Sequence, residues 1–446
     1  MVKQIGILGA GRSVSGLLNY LDKQAKTSQW KVILADSSYE TAAKKALGKE
    51  SIEPKALDID DVQSLSDFVQ ASDIVISMLP PHLHAKVATH CLQHRKHLLT
   101  ASYVSEQMKA FEQEAIDKGL LLLMEMGLDP GIDHMSAMAE LDQIRDVGGE
   151  VVSFKSFTGG LVAPESDNNP WHYKVTWNPR NVVLAGQGTV KFIRNNRYKY
   201  IPYHGLFRRL ERVYVKGVGE FDGYANRDSL KYRTYYQLEN IPTLFRGTLR
   251  YSGFCEAWDV FVQLGMTDDS YFLEGLENMT YRDFVNTYLV YEKRASVEQK
   301  LAKHLHLDPD GEVMQKLKWL GVFSNEPLGL KEATPAQILQ KLIEQKWRLL
   351  PDEKDMIVMQ HQIEYSHNNQ LKLLKSSMML KGENAEETSM ARTVGLPLGI
   401  AAKLLLEGKI NLKGVHIPVN KEIYEKVLPE LEKEGVRFER EVVNIV

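Results

Sequence analysis

The stretch KQIGILGAGRSVSG, residues 3–16, runs from an apolar segment through closely spaced glycines into a helical pattern. Gly9 permits a tight turn after a strand, and Gly11 lets the backbone approach a pyrophosphate at a helix N-terminus. The third glycine of the usual spacing is absent, since Val14 occupies its place and Gly16 follows two residues later. A second strand ending at Asp36 completes the pattern, which predicts a dinucleotide-binding fold. The alternative is that the glycines are ordinary turn residues and Asp36 caps the next helix.

Around this stretch, the first 125 residues alternate short apolar runs with amphipathic segments. The apolar runs are KQIGIL (3–8), WKVILA (30–35), EPKALD (53–58), DIVISML (73–79), HLLTAS (97–102) and LLLLME (120–125). Apolar strands separated by helices indicate a parallel sheet that is covered on both faces. Six such strands predict a doubly wound nucleotide-binding domain, so we expect the α/β fold class.

The pattern changes after residue 150. Strand-like pieces such as 208–221 and 245–254 lack intervening helices, residues 255–350 are mostly helical, and 355–366 with 370–382 predict a hairpin. This order predicts a sheet domain that a helical insertion interrupts. We therefore expect three domains: a nucleotide-binding domain (1–130 and about 395–446), a mixed α/β domain (131–255 and about 355–394) and an all-helical domain (256–354).

The composition is that of an ordinary globular protein, with 43% hydrophobic and 25% charged residues among 446. The net charge of −3 provides no electrostatic basis for binding nucleic acid or an anionic membrane. Cys91 and Cys255 are too few for a disulfide framework and lack metal-ligand spacing, so we expect a reducing compartment and no metal. No apolar run of about 18 residues and no signal peptide are evident, which predicts a cytoplasmic protein.

Asp36 at the end of the second strand is placed to accept hydrogen bonds from a ribose 2′-OH. Its charge would repel a 2′-phosphate, so we expect NAD as the cofactor. NADP is the alternative, since Arg12 or Ser37 can tolerate a phosphate. After the fourth strand, the backbone at Met78 and Leu79 should lie near the nicotinamide ribose, unless the prolines that follow merely end the strand. His82 and His84, just beyond, are expected at the surface without a chemical role.

The stretch LLLLMEMGLDPGIDHMSAM (120–138) places Glu125, Asp129 and Asp133 around a Gly-Pro-Gly turn. The turn follows the sixth strand, at the sheet edge where ligands bind, so Asp129 is expected to face the nicotinamide crevice. There it can orient an amine or pass a proton, directly or through water. Asp133 can simply stabilise the helix through a favourable interaction with the helix dipole. His134 is expected to be packed or exposed rather than catalytic.

Arginines cluster around short turns downstream, with Arg227 in YANRDS and both Arg246 and Arg250 in FRGTLRYSGF. Guanidinium groups bind carboxylates bidentately, and an aspartate pairs with an ammonium. These residues together would suit a substrate that carries several carboxylates and an amine. The alternative for any single arginine is a surface or structural ion pair.

Several stretches in one order resemble saccharopine reductase, the glutamate-forming saccharopine dehydrogenase family. They are GLDPGIDH (127–134), GGLVAPESDNNPWHYK (159–174), YANRDS (224–229), FRGTLRYSGF (245–254), LGVFS (320–324) and MARTVGLPLGIAAKLLLEGKI (390–410). The resemblance covers nearly the whole chain. It implies a variant Rossmann domain, a mixed α/β domain for substrate and dimer contacts, an inserted all-helical domain and a homodimer.

The resemblance also implies site residues. Those bordering saccharopine would be Ser102, Asp129, Arg227, Thr248, Leu249 and Arg250, with Lys174 near them. Those bordering the cofactor would be Gly9, Ala10, Gly11, Arg12, Ser13, Asp36, Ser37, Asp58, Ile59, Met78, Leu79, Ser102, Tyr103 and Val104. Two positions depart from the family. Thr158 stands where some members have cysteine, and Asp36 stands where fungal NADP-using members carry a basic stretch.

The implied reaction converts saccharopine, NAD(P)⁺ and water into L-glutamate and 2-aminoadipate 6-semialdehyde, and the reverse. In this reaction a secondary amine becomes an imine, and water then hydrolyses the imine. One alternative is a related imine reductase such as carboxynorspermidine dehydrogenase. Another is a non-catalytic NAD-binding sensor. Turnover of saccharopine separates both from the expected enzyme.

Overall fold

The computed structural model describes residues 2–445. The chain divides into two compact units. The first unit comprises Met1–Glu150, His367–Asn369 and Met378–Glu439, and the second comprises Val151–Ser366, Gln370–Ser377 and Arg440–Val446.

Sixteen strands are present in the described residues. In chain order they are β1 (Gln4–Leu8), β2 (Lys31–Asp36), β3 (Ile52–Ala56), β4 (Ile74–Ser77), β5 (His97–Leu99), β6 (Leu121–Leu123), β7 (Glu150–Val162), β8 (Val190–Arg194), β9 (Arg197–Ile201), β10 (Leu210–Val215), β11 (Gly219–Ala225), β12 (Thr243–Arg250), β13 (Asp355–His367), β14 (Gln370–Lys381), β15 (Gly414–His416) and β16 (Phe438–Asn444).

The α-helices also number sixteen in this part of the chain. They are α1 (Ser15–Ser28), α2 (Tyr39–Ala46), α3 (Val62–Ala71), α4 (His84–Gln93), α5 (Glu106–Lys109), α6 (Glu112–Lys118), α7 (Ile132–Asp146), α8 (Pro179–Val183), α9 (Tyr232–Tyr235), α10 (Phe254–Leu264), α11 (Tyr281–Thr287), α12 (Val297–Leu305), α13 (Glu312–Leu320), α14 (Pro335–Lys346), α15 (Ser389–Leu406) and α16 (Lys421–Lys433).

The first unit contains a seven-stranded sheet of order β15-β6-β5-β4-β1-β2-β3. All of its strand pairs are parallel, and β1 lies between β4 and β2, so the strand order reverses beside the glycine turn. The predicted α/β class with a doubly wound sheet is therefore confirmed. The six predicted strands are all present, and the seventh, β15, comes from the far end of the chain. In open sheets of this kind ligands bind outside the carboxyl ends of the strands.

Helix α15 packs against α1 in the first unit. A Cβ built on Gly16 of α1 would lie 2.5 Å from the carbonyl oxygen of Ala391, so only glycine allows the two helices to approach this closely. Helix α15 is long and apolar enough to cross a membrane, whereas the sequence predicted no apolar run of this length. However, 72% of its span is buried inside the protein, as expected for a core helix.

The second sheet has nine strands. Its main path is β10-β11-β12-β7-β13-β14-β16, and the β8–β9 hairpin joins at β12. Strands β11 and β12 are antiparallel while β12 and β7 are parallel, so this is the mixed sheet that the sequence predicted. The strand-like run at 208–221 is two strands, since Val215 and Gly219 flank a tight turn.

Aromatic side chains fill the core of the second unit, where α10, α13 and α14 meet the sheet. Trp171 lies 5.1 Å from Trp347 and 5.9 Å from Phe261, ring centre to ring centre. Its indole N–H donates to the backbone carbonyl of Lys316 at 2.8 Å. One cluster of buried residues extends from Phe157 of β7 to Val358 of β13 and includes these three rings, so the helical segment shares its core with the sheet.

Candidate active site

The glycine turn after β1 has the geometry that a bound dinucleotide needs. Gly9 has φ +100°, a backbone conformation that strains any larger residue, and a Cβ there would also make a tight contact of 3.1 Å with the backbone of Met78. A Cβ on Gly11 would meet nothing within 4 Å, which leaves open space above the turn. No side chain caps the one-turn helix Arg12–Val14 or the start of α1. The backbone N–H groups at this end are therefore available to a phosphate, and the residues fit the expected group.

Gly16 takes over the helix-packing role of the missing third glycine. Val14, at the usual position, is 0% exposed and belongs to the core. Gly16 instead lies against α15, as described above. The departure from the usual spacing thus reflects a different helix neighbour, not the loss of the turn.

Asp36 holds the glycine turn to the end of β2. Its Oδ2 accepts a hydrogen bond from the backbone N–H of Ala10 at 2.8 Å, and its Oδ1 accepts from the N–H of Ser38 at 3.0 Å. The Ser37 hydroxyl lies 3.4 Å from the same Oδ1. The carboxylate is partly exposed and is hydrogen-bonded within its own loop. A negative charge therefore stands at the sheet edge where the ribose of a dinucleotide would lie.

The other predicted cofactor residues follow the carboxyl ends of their strands. Asp58 and Ile59 come after β3, and the Asp58 carboxylate accepts from the N–H of Asp60 at 2.9 Å. Met78 and Leu79 come directly after β4, where the Met78 N–H donates to the carbonyl of Leu8 at 2.8 Å. All of these positions lie at the same edge as the glycine turn, because the strands are parallel.

His84 corrects the sequence prediction, which placed it at the surface. It is the first residue of α4 and is 1% exposed, whereas His82 is exposed as expected. Its Nδ1 lies 2.9 Å from the Ser77 hydroxyl, and its Nε2 lies 2.7 Å from the Ser102 hydroxyl. Burial, with a smaller effect of His82, lowers the pKa of His84 to about 4. The imidazole is therefore neutral near pH 7.

The segment Ser102–Val104, which links β5 to α5, is held from a second side by Glu125. The Glu125 N–H donates to the carbonyl of Ser102 at 3.0 Å, and its carboxylate accepts from the N–H of Val104 at 3.1 Å. The same carboxylate lies 2.9 Å from His134 Nε2. Glu125 and His134 are 3% and 0% exposed, so His134 is packed rather than free to react. Tyr103 is partly exposed between these anchors.

The acidic turn contains one partly exposed residue. Residues 120–138 are buried except Asp129. Asp133 is 1% exposed, and its carboxylate accepts from the N–H of Gly131 at 2.6 Å, in the first turn of α7. Of the three acids around this turn, Glu125 and Asp133 stabilise the fold by accepting hydrogen bonds from backbone N–H groups. Asp129 alone has part of its surface at the strand edge where ligands bind.

In the second unit, Arg250 is a buried cation at the end of β12. It is 3% exposed, and its guanidinium lies 5.1 Å from the Tyr173 ring, 5.4 Å from Phe254 and 5.8 Å from Tyr224. One amino group donates to the carbonyl of Leu249 at 2.8 Å, while Nε has no hydrogen-bond partner in the structure. No acidic side chain of the described residues pairs with it. A buried guanidinium of this kind suits an anionic ligand.

The neighbours of Arg250 on the sheet are the other predicted substrate residues. Thr248 pairs with Tyr224 across β11 and β12 and with Thr158 on β7. Leu249 is buried against Gly159, where a Cβ would lie 2.7 Å from the leucine Cβ.

Two other predicted arginines differ in their surroundings. Arg227, after β11, is exposed and has φ +46°, and its carbonyl accepts from the N–H of Lys191 at 3.0 Å. Arg246 is 4% exposed, and its guanidinium stacks 4.2 Å from the centre of the Tyr232 ring.

Lys174 has a carboxylate partner within the second unit. Its ammonium lies 2.6 Å from Glu353 Oε1, and both side chains are largely buried. The Glu353 carboxylate also accepts from the N–H of Leu350 at 2.7 Å and from the amide of Asn168 at 2.7 Å. Lys174 therefore has a structural role, the pairing with Glu353, in addition to its predicted position near the substrate.

Neither cysteine is placed for redox or metal chemistry. Cys91 and Cys255 are free and buried, and burial raises the pKa of both thiols, that of Cys255 to about 12. Within residues 2–445, no group of three His, Cys, Asp or Glu side chains is arranged to hold a metal ion.

The chain matches known proteins over nearly all of its length. Two family models match: the saccharopine dehydrogenase NADP binding domain over residues 5–123 and the saccharopine dehydrogenase C-terminal domain over residues 127–436. A Schizosaccharomyces pombe protein named saccharopine dehydrogenase [NADP(+), L-glutamate-forming] is 32% identical, with 98% of each chain covered. Mouse mitochondrial alpha-aminoadipic semialdehyde synthase is 33% identical over 98% of this chain, which spans 47% of that longer protein.

One solved structure also matches the chain over nearly all of its length. The apo structure of saccharopine dehydrogenase (L-Glu forming) from Saccharomyces cerevisiae matches with a TM-score of 0.88 and 27% identity, covering 99% of this chain and 100% of that one.

Proposed function

The chain belongs to the saccharopine dehydrogenase family, and we propose that it interconverts saccharopine with L-glutamate and 2-aminoadipate 6-semialdehyde. The observation that carries the proposal is Arg250, a buried guanidinium without an acidic partner in the described residues. It supports an anionic substrate, and saccharopine has three carboxylates. The glycine turn supports a dinucleotide that, when bound, supplies the hydride acceptor.

The proposed roles of the substrate residues follow from their chemistry. Arg250 would hold one carboxylate, with Thr248 and Arg227 as further polar contacts. Asp129 would orient the substrate nitrogen and the attacking water, and would help to move a proton between them. The reaction oxidises the carbon–nitrogen bond of a secondary amine to an imine, and addition of water then breaks that bond. This role for Asp129 is positional, so it does not require an indispensable base.

We propose NAD rather than NADP as the preferred cofactor. The support is the Asp36 carboxylate at the end of β2, whose charge opposes a 2′-phosphate. The names of the S. pombe relative and of the matching domain refer to NADP, so this chain would differ from them in preference. Ser37 and Arg12, at the same edge, are the side chains that would contact a phosphate if NADP binds.

The experiment that tests the function is an initial-rate assay of the purified protein with saccharopine against NAD and NADP in parallel. We expect glutamate and semialdehyde to form in equal amounts with reduced cofactor, and a higher kcat/KM with NAD. If reduced cofactor binds but saccharopine gives no turnover, a non-catalytic sensor would be the better interpretation. Turnover of carboxynorspermidine in place of saccharopine would favour the related imine reductase.

We also propose that the protein is a homodimer in the cytoplasm, as the resemblance and the sequence predict. Light scattering on the purified protein measures the mass of the assembly. A mass of 50.7 kDa, that of a single chain, would contradict the dimer.

A further inference from the structure

A buried hydroxyl–imidazole–hydroxyl chain crosses the carboxyl edge of the first unit's sheet. Ser77 ends β4, His84 begins α4, and Ser102 follows β5. The contacts are 2.9 Å from Ser77 to Nδ1 and 2.7 Å from Ser102 to Nε2. Ser77 and His84 are 0% and 1% exposed, while Ser102 is partly exposed. The chain thus connects a buried hydroxyl to one at the ligand edge.

The buried end of the chain determines the tautomer of His84. The Ser77 hydroxyl has no hydrogen-bond partner other than Nδ1 in the described residues. A buried hydroxyl proton is directed to an acceptor within reach, so Ser77 donates to Nδ1. A neutral imidazole then carries its proton on Nε2 and donates to Ser102 Oγ. Thr100 Oγ1, at 3.3 Å from Nε2, is a second and longer acceptor.

We propose that His84 is a positioning residue that makes the Ser102 hydroxyl a hydrogen-bond donor to an oxygen of the bound ligand. Because Nε2 donates to Ser102 Oγ, the serine's own proton is free to point elsewhere. The reverse tautomer would turn that proton toward His84 and would leave the Ser77 proton without an acceptor. The ligand oxygen belongs either to a substrate carboxylate or to the carboxamide of the dinucleotide. Only the kinetic test of this inference rests on the proposed function.

A test that needs no activity is ¹⁵N NMR of the histidine rings in the full-length protein. The His84 signals are assigned by their absence in His84→Gln. The ¹⁵N chemical shifts then distinguish a protonated ring nitrogen from an unprotonated one. We expect Nε2 to carry the proton, and Ser77→Ala to abolish that preference. A proton on Nδ1 in the wild-type protein would overturn the proposal. This result is independent of whether saccharopine is the substrate.

The kinetic test compares His84→Ala, Ser102→Ala and the double variant with saccharopine and cofactor. We expect each single variant to lose about tenfold in kcat/KM, as for a hydrogen bond to a charged or strongly polar group. Since His84 acts through Ser102, the double variant should lose no more than Ser102→Ala alone. Additive losses would overturn the proposal. His84→Gln should recover most of the loss, because its amide retains a donor on the Ser102 side.

Two further measurements sharpen the result. Binding of NADH and NADPH by fluorescence separates the two ligand oxygens: weaker binding in Ser102→Ala assigns the carboxamide, and a raised KM for saccharopine alone assigns the carboxylate. His97→Ala is the matched control, since His97 is also a neutral histidine with a lowered pKa but lies at the opposite end of β5 and accepts from the Leu121 N–H at 3.0 Å. It should lower the unfolding temperature without changing KM.

A wild-type protein inactive on saccharopine would refute the proposed function, while the NMR result would still decide the role of His84.

Discussion

Glu125 Oε2 and His134 Nε2 lie 2.9 Å apart inside the first unit, with side-chain exposures of 4% and 0%. The other oxygen of the carboxylate accepts from the backbone N–H of Val104. Glu125 also has φ +57°, a conformation that is uncommon for a residue other than glycine. This pair therefore connects the start of α7 to the segment that we expect to border the cofactor.

Replacement of Glu125 should destabilise the protein and weaken nucleotide binding together. We expect Glu125→Ala to lower the free energy of unfolding by about 3 kcal/mol, because the partly buried Val104 N–H and the buried His134 Nε2 both lose their contact with the carboxylate. Urea unfolding and NADH fluorescence measure the two effects. Glu114→Ala is the control, since Glu114 forms an exposed i,i+4 pair with Lys118 and should change stability by less than about 0.5 kcal/mol. Equal effects of the two variants would contradict the stabilising role of the buried Glu125 carboxylate.

The apolar strands of the first unit were predictable, because parallel strands that are buried on both faces are continuous hydrophobic runs. Their ends were less predictable. Strand β5 stops at Leu99, since Thr100 and Ser102 turn to the His84 ring, and β6 stops at Leu123, before Glu125. Periodicity reports which residues are buried, but it does not report where polar side chains redirect the backbone.

His84 was missed because, just beyond two prolines that can end a strand, it was expected at the surface. A signal was nevertheless present in the sequence. Ser77, Thr100 and Ser102 are hydroxyl residues at the ends of two neighbouring parallel strands, so they had to meet at one edge of the sheet. A histidine at the start of the next helix was a candidate partner for them. For Glu125 and His134, by contrast, only the path of the turn between them brings the two side chains together.

The role of Asp129 predicts a partial loss of activity. Asp129→Ala should reduce kcat about 10- to 100-fold at saturating saccharopine, since positioning and proton transfer are impaired but other groups and water remain. Asp129→Asn, which keeps a hydrogen-bonding side chain of the same shape, should lose less. Steady-state rates with saccharopine and cofactor at saturation measure both variants. A complete loss in Asp129→Ala would instead identify an indispensable base, and an unchanged kcat would remove Asp129 from the site.

Arg250 should contribute to binding rather than to stability. Arg250→Met keeps an apolar stem among the surrounding rings and removes a buried charge that has no acidic partner in the described residues. We therefore expect the free energy of unfolding to stay the same or to rise, while KM for saccharopine rises by about tenfold or more. Arg208→Met is the control, because the Arg208 guanidinium already pairs with Asp259 at 2.7 Å. Loss of stability in Arg250→Met with an unchanged KM would show that the guanidinium is structural.

Asp36 should determine the cofactor preference. Asp36→Asn retains one acceptor for the Ala10 N–H but removes the charge that opposes a 2′-phosphate. We expect the ratio of kcat/KM for NAD to that for NADP to fall by about tenfold or more. Glu40→Gln is the matched control, since Glu40 is an exposed acid in the first turn of α2. If the ratio is the same in Asp36→Asn and in the wild-type protein, Asp36 does not select the cofactor.

The buried pair of Lys174 and Glu353 predicts a pH-dependent contribution to stability. Burial alone would raise the pKa of Glu353, but hydrogen bonds from Lys174, the Leu350 N–H and Asn168, together with the Lys174 charge, more than offset it, so the pKa is lowered from its ordinary value of 4.5. A carboxyl group with a lowered pKa in the folded state stabilises that state above its unfolded pKa. The stabilisation is lost as the pH falls through the lowered folded value.

Lys174→Met should therefore cost about 3 kcal/mol of unfolding free energy at pH 7, because Glu353 keeps its charge without the ammonium. The difference from the wild-type protein should shrink steadily once the pH falls below 4.5, where the unfolded carboxyl becomes protonated and the wild-type protein loses the benefit of the pair. Urea unfolding at a series of pH values measures this difference. Lys174→Met combined with Glu353→Leu is the control, and it should be more stable than the single variant at pH 7 because no buried charge is left unpaired. A difference that stays constant down to pH 3 would mean that the ammonium does not stabilise the Glu353 carboxylate, and the lost stability would then come from the packing of the lysine stem.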